Sequence, residues 1–490
     1  MNATPMHRRR RLLAAACAVV AALALAWGLP RVAATAHAKS YIRYLAATAQ
    51  AKTPIRHVVV IYLENHSFDN VLGFWCQAHQ GRCPDGGMPS SVRLSNGAVV
   101  TPHAMLDTVP NVDHTVPSQL AAMHIVRGVP QMNGWQNIKA GGCAATATPP
   151  YACIGGYLPG HIPNITKLAT KFAISDETFS MMDSPSWGGH LYAATASLDG
   201  FLGDNPTRAP GIAPRPGWGC DSNKVTPWLS PGGKLETIPS CIPDNALHLA
   251  HGGAFKNTPA AYVPTIFDRL DAAGVAWKIY GPASPSDGGY YWAICPSLAE
   301  CQYTSQRTNL VQSTRFFTDA AAGRLPPFSI VTAGGPGRVA LSSCHNKLSM
   351  TACDNYVGQL VGAMERSPDW SSTALFLTWD DCGCFYDQVV PGINPDGTRQ
   401  GPRVPLIIIS PYARPGYTDT RATTFASILA YTEQTFGLAP LNVNDARAYP
   451  FTNAFNYAQK PLQPVKMVTR PLPASARRIH LTPALRNDPT

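Results

Sequence analysis

Between residue 39 and residue 457 the sequence has no internal repeat, no heptad and no low-complexity linker, so solenoids, coiled coils and strings of small domains are excluded. That stretch also has almost no net charge. The formal charge of +10 comes from the two ends: Arg8, Arg9, Arg10, Arg11 and Arg31 face no acid before residue 39, and from Ala458 onward Lys460, Lys466, Arg470, Arg477, Arg478 and Arg486 face Asp488 alone. A nucleic-acid-binding body is therefore excluded. Zinc-ligand spacing is missing too, because no close cysteine pair has a matching His/Cys partner set.

What is present begins with a leader. The Arg8–Arg11 cluster, an uncharged apolar run from Leu12 to Leu29 and Ala36-His37-Ala38 follow the order of a signal peptide. Residues 1–38 are expected to be cleaved and the protein exported to the periplasm or beyond. The run approaches the roughly 20 residues that span a bilayer, so an uncleaved membrane anchor is the alternative. The paired arginines are compatible with twin-arginine export. Cys17 has no leucine three residues before it, which argues against lipid attachment.

Loss of Cys17 with the leader leaves an even dozen of the 13 cysteines, in sequence-close pairs. This pattern is expected for short disulfides stapling loops in an oxidising compartment. Cys382 and Cys384 are the exception: a bridge across one residue is strained, so they pair elsewhere, stay reduced or are redox-labile.

The body reads as one α/β domain, residues 39–457, followed by a basic, proline-punctuated extension, 458–490. Short apolar runs at Val58 to Leu63, Phe328 to Val331, Ala374 to Trp379 and Val404 to Ile409 have the signature of strands buried on both faces. Tyr356, Val357, Leu360, Val361 and Met364 repeat at helical spacing, as do Phe267, Leu270 and Ala273 before Gly274. Alternating strands and helices predict a mostly parallel central sheet with helices on both faces and chemistry at the strand C-terminal ends. The stretches Thr207 to Pro259 and Asn111 to Pro163 read as loop insertions, either lids or peripheral.

Glu64-Asn65 end one apolar run and Asp380-Asp381 another, so four oxygen-bearing side chains can meet at one sheet edge. Either pair alone reads as a helix cap or a solvated turn. Together they suit a hard divalent cation of unknown identity. Ser186 lies in Asp183-Ser184-Pro185-Ser186-Trp187-Gly188-Gly189-His190, a small-residue turn before a helix. It is readable as a nucleophile whose hydroxyl a metal would activate, or as an ordinary N-cap.

Other motifs follow in order. His57-Val58-Val59-Val60 leads into Glu64-Asn65-His66-Ser67-Phe68-Asp69; then come Val112-Asp113-His114, Met132-Asn133-Gly134-Trp135, Phe172 to Asp176 and Pro185-Ser186. Later are Ile266 to Leu270, Trp277 to Tyr280, Thr378-Trp379-Asp380-Asp381 through Phe385-Tyr386-Asp387, Gly401 to Pro405 and Leu438 to Asn442. From Ile55 to Tyr457 the chain thus resembles the bacterial phosphoesterase family of acid phosphatases and phospholipases C, within the alkaline-phosphatase-like superfamily. The resemblance implies that Glu64, Asn65, Ser186, Asp380 and Asp381 form a metal and nucleophile site. It also implies that His114 and His345 line the phosphate pocket, with Asp387 and Gln388 beside them. His345 stands in Ser343-Cys344-His345-Asn346-Lys347, where the family reads S-E-H-P-P. Two positions depart from the pattern: Gln388 and Phe425 stand where the family has histidines. An amide orients a phosphate oxygen but shuttles no proton, so protonation of the leaving group is the step in question.

The expectation is a metal-dependent hydrolase of phosphoric esters working through a phosphoserine, either a phosphatase or a phospholipase C with transient contact to a membrane surface. Two rivals are a non-catalytic ligand-binding relative and a serine carboxylester hydrolase built on Ser186. The latter needs a late histidine, and after Asp380 the sequence has only His480.

Overall fold

Four apolar runs of the sequence become strands of one sheet. The computed structural model describes residues 53–138, 141–245 and 258–479. The expected leader with Cys17, and the end of the basic extension, lie outside the described residues. The eight strands are β1 His57–Leu63, β2 Ala173–Ser175, β3 Trp277–Gly281, β4 Leu310–Gln312, β5 Phe328–Thr332, β6 Thr373–Trp379, β7 Leu406–Ile409 and β8 Thr418–Asp419. They lie in the order β4-β3-β5-β1-β6-β7-β2-β8. Every neighbouring pair is parallel except the two made by β7.

The central strands β1 and β6 are buried along nearly all of their length. Both of their faces are therefore covered, which is why they read as unbroken apolar runs. Each fully buried Val, Ile or Leu contributes about 1.5–3 kcal/mol. The register pairs Leu63 with Trp379, so the residues that follow each strand emerge side by side.

Helix starts are written locally. Ser67 caps α1, Phe68–Ala78, by accepting from the Asn70 N–H at 3.2 Å. Thr265 and Asp268 form a capping box on α4, Ile266–Ala272, and Ser349 caps α5, Met350–Glu365. Thr424 caps α6, Phe425–Phe436, which ends at the left-handed Gly437. Such caps are worth about 1 kcal/mol each. The other two helices used below are α2, Pro163–Lys171, and α3, Ser186–Thr195.

Five disulfides join sequence-close partners: Cys76–Cys83, Cys143–Cys153, Cys220–Cys241, Cys295–Cys301 and Cys344–Cys353. Cys382 and Cys384 are unpaired and buried. The insertion after Thr207 is more ordered than its sequence suggests. It holds a hairpin, Lys224–Leu229 against Leu235–Pro239, whose buried positions in the first strand, Lys224, Thr226 and Trp228, do not form an apolar series. The extension after residue 457 runs without strand structure but is tied down: Asn164 exchanges two hydrogen bonds with the backbone of Val468, and the Val465 N–H donates to Glu365. Among the described residues no helix is long and apolar enough to cross a membrane.

Candidate active site

The chain leaves β1 through a sharp turn. Asn65 adopts φ +59°, a left-handed conformation that asparagine tolerates better than most residues. Its N–H donates to Asp380 Oδ1 at 2.9 Å, and the Asp380 N–H donates to the Leu63 carbonyl at 2.9 Å. The ends of two parallel strands are thus locked together. Gly383, at φ +58°, completes the turn after β6, where a Cβ would lie 2.2 Å from the Asn65 carbonyl oxygen.

Ser186 comes from a third element. It is the first residue of α3, with Pro185 rather than the serine at the cap position, so its hydroxyl is not spent on capping. Gly189 lets the helix approach: a Cβ there would stand 2.5 Å from the Asp380 carbonyl oxygen. The Ser186 hydroxyl donates to Asp381 Oδ2 at 2.9 Å and accepts from Asn65 Nδ2 at 3.3 Å. The other oxygen of Asp381 accepts from the Gly383 N–H at 2.7 Å.

His114 and His345 complete this side. His114 Nδ1 faces the Val112 carbonyl at 3.1 Å, so it carries the ring proton and leaves Nε2 as an acceptor. Asn65 Nδ2 occupies that acceptor at 2.6 Å. The His345 ring lies 5.9 Å from that of His114, and its Nδ1 faces the Asn346 carbonyl at 3.2 Å. His345 Nε2 is buried and has no hydrogen-bond partner among the described residues. Burial, with His114 adding, pushes His345 down to about 3, which keeps it neutral.

On the other side stands a residue whose role the sequence left open. His190 Nε2 lies 3.1 Å from Glu64 Oε1 and 3.9 Å from Asp380 Oδ2. Four positions after Ser186 on one helix, it shares the serine's face, and that spacing is the signal that could have found it. Ligand atoms of Glu64, His190 and Asp380 lie within 4.8 Å of one another, the geometry of a possible metal site. Glu64, Asn65, Ser186 and Asp380 are 0 % exposed. Burial pushes Asp380 well above the usual carboxylate range, and Glu64 and Asp381 push it further; burial does the same to Glu64. Burial lowers His190, opposed by Asp380 and Asp381.

The cluster fits a cation. Glu64 Oε2, Asn65 Oδ1 and Asp380 Oδ2 are buried without a hydrogen-bond partner among the described residues, an arrangement costly unless something positive meets them. Carboxylate and amide oxygens with a neutral imidazole suit a divalent ion.

Asp387 and Gln388 go elsewhere. Asp387 Oδ1 accepts from Arg403 Nε at 2.9 Å, and Arg403 Nη2 reaches Asp69 Oδ1 at 3.2 Å, all three fully buried. Gln388 turns its amide outward, donating to the carbonyls of Asp85 and Gly87 at 3.3 and 2.9 Å. Neither is hydrogen-bonded to Ser186, whose hydroxyl pairs with Asp381 and Asn65. Gln388, expected beside the phosphate pocket, is held by the 85–87 turn. Phe425 packs edge-on against Tyr62 at 5.4 Å, and Tyr62 in turn stands 6.0 Å from His190.

Comparison with known proteins gives one family match: the Phosphoesterase family model covers residues 55–439. Non-specific phospholipase C1 of Arabidopsis thaliana is 24% identical over 444 residues, 83% of this chain and 72% of that protein. Non-hemolytic phospholipase C of Pseudomonas aeruginosa is 25% identical over 240 residues, and the chain spans only 33% of its length. Among solved structures, a protein in the alkaline phosphatase superfamily from Vibrio parahaemolyticus aligns with a TM-score of 0.32 at 14% identity, over 59% of this chain and 64% of that one.

Proposed function

Because the chain belongs to the Phosphoesterase family, and so to the hydrolases of phosphoric esters, we propose that it cleaves phosphodiesters of the phospholipase C type through a phosphorylated Ser186. The observation that carries this reading is the placement of Ser186 Oγ between Asn65 Nδ2 and Asp381 Oδ2, beside the Glu64, His190 and Asp380 cluster. The relatives named as phospholipases C support the choice of a diester over a monoester.

Glu64, Asn65, His190, Asp380 and Asp381 would hold the ion. When bound, it supplies a lowered hydroxyl pKa and neutralises charge on the nonbridging oxygens. The chain's own residues do the rest. In the first step the Ser186 Oγ–P bond forms as the bond from phosphorus to the leaving alcohol breaks. Asp381 Oδ2 receives the serine proton. His345 is neutral with Nε2 as an acceptor, so it is no acid at this stage, and the departing oxygen takes its proton from water. In the second step water attacks phosphorus and passes its proton through His345 Nε2 to the hydroxide left by the first step, so His345 ends neutral again. The P–Oγ bond breaks and Asp381 returns its proton to the serine. Burial of the whole set strengthens these interactions and requires the surrounding loops to part for the substrate.

Among the described residues no histidine hydrogen-bonds Ser186, so the carboxylester triad has no support in the geometry. We also place the enzyme in an oxidising compartment, a reading supported by its five disulfides.

The test is Ser186→Ala in purified protein loaded with divalent metal. The expected result is loss of the trapped phosphopeptide and at least about 10³-fold of turnover, with the double variant Ser186→Ala/Asp381→Ala little worse. Near-parental, chelator-sensitive activity in Ser186→Ala overturns the nucleophile. Absence of turnover in the parent, with metal and phosphoester still bound, favours the non-catalytic relative.

A further inference from the structure

A cavity of about 280 Å³ opens beside the polypeptide that carries His114 and His345. Met105, Leu106, Val109, Pro110, Pro149 and Ala152 supply its apolar lining, and His103, Thr108, Asn111, Thr148 and Lys347 the polar remainder. Met105, Val109 and Ala152 are buried, while Leu106 is 68 % exposed at the mouth. Lys347, exposed, brings the one lysine of the lining.

The walls are held in place. Cys143–Cys153 closes the loop that contains Pro149 and Ala152, and Cys344–Cys353 closes the loop that contains Lys347. The two sides are clasped by hydrogen bonds of 2.9 Å from the Lys347 N–H to the Val109 carbonyl and from the Val109 N–H to the Leu348 carbonyl. A cavity fixed in this way loses little entropy on binding.

Its position ties it to the chemistry. Lys347 is two residues beyond His345, and Asn111, also in the lining, is three before His114. Asn346 Nδ2 donates at 2.8 Å to the Val112 carbonyl that also orients His114. At roughly 3.3–3.6 Å per extended residue, the cavity lies on the order of 10 Å from the histidine pair.

We propose that this cavity is an acyl-chain subsite, which takes a segment of the hydrocarbon chain of an amphiphilic phosphoester while Lys347 at the rim attracts its negative charge. The inference rests on the phospholipase C reading and names the apolar half of that substrate. The lining decides the chemistry, since most of its surface is apolar and a hydrocarbon chain buries that surface without a polar group of its own to pair. The volume decides the extent, being below the roughly 300–1,000 Å³ of sites that enclose a whole ligand. It suits a stretch of chain, the remainder lying in solvent or in the lipid aggregate.

Leu106→Glu is the test, because this exposed position can change without opening the core. Each buried methylene is worth about fourfold in binding, so displacing a few costs tenfold or more. The ratio of kcat/KM for monomeric dihexanoylphosphatidylcholine to that for p-nitrophenylphosphocholine should fall at least tenfold in Leu106→Glu and stay near parental in Leu106→Met. A ratio within twofold of the parent overturns the subsite. A second arm titrates monomeric decyl-chain lysophosphatidylcholine into Ser186→Ala protein, where Leu106→Glu should raise Kd at least tenfold. If the parent hydrolyses neither ester, the phospholipase reading fails and the titration alone decides: binding that depends on Leu106 sustains the chain site, and absent or unchanged binding overturns it.

Discussion

His114 Nε2 stands 2.6 Å from Asn65 Nδ2, and the same amide nitrogen lies 3.3 Å from Ser186 Oγ. Two protons on one nitrogen are thus shared between an imidazole and the nucleophile, and His114 orients Ser186 without touching it. His114→Ala frees the amide to rotate, and loosened alignment of this kind costs roughly 10²-fold in kcat with little change in KM. His114→Gln, which offers an acceptor again, should recover part of the loss. Steady-state kinetics on the two variants, alongside their thermal stability, checks this; equal losses in both would deny the positioning role.

His190 makes the second prediction. Its Nε2 faces both Glu64 and Asp380, so His190→Ala should weaken divalent-metal binding by at least about 10-fold. Competition of apoprotein against a calibrated chelator measures it, independently of turnover. Unchanged affinity would make His190 a neighbour rather than a ligand.

The buried Arg403, Asp69 and Asp387 group should govern stability and its pH dependence. Removing the cation in Arg403→Met leaves two buried carboxyls facing one another and should cost about 3–5 kcal/mol in denaturant unfolding. Burial, then the Asp387 charge, pushes Asp69 up to about 8 from 3.8. Between those values the folded protein holds a proton that the unfolded chain has released, so stability falls as pH rises through that window. Asp69→Asn should flatten this decline; an unaltered pH profile would assign the titration to another group.

Thiol counting tests the cysteine arrangement. Native protein should react slowly with a charged thiol reagent, because Cys382 and Cys384 are buried. Unfolded without reductant, it should expose those two thiols, with Cys17 added only where the leader is retained. A count of zero after unfolding would mean that the pair is oxidised.

Much of this protein was determined by local sequence. Strands β1 and β6 are legible because burial on both faces demands unbroken apolar runs, and α4 and α5 because their apolar residues repeat at helical spacing. Five disulfides follow from close spacing in the chain. Glu64, Asn65, Asp380 and Asp381 are legible as a set because each pair ends such a strand.

What only the tertiary structure decided is which partner each polar side chain meets. Asn65 and Asp380 are hydrogen-bonded across 315 positions because β1 and β6 pair with Leu63 opposite Trp379, and a slip of one residue would separate them. His190 became a neighbour of Glu64 only when Gly189 let α3 close on Asp380. Asp387 and Gln388, one and two residues from Tyr386 in a single motif, were drawn to Arg403 and to the 85–87 turn. Short-range propensity carries no information about such contacts, since their energy depends on distance and burial, and both exist only after the sheet has set its register.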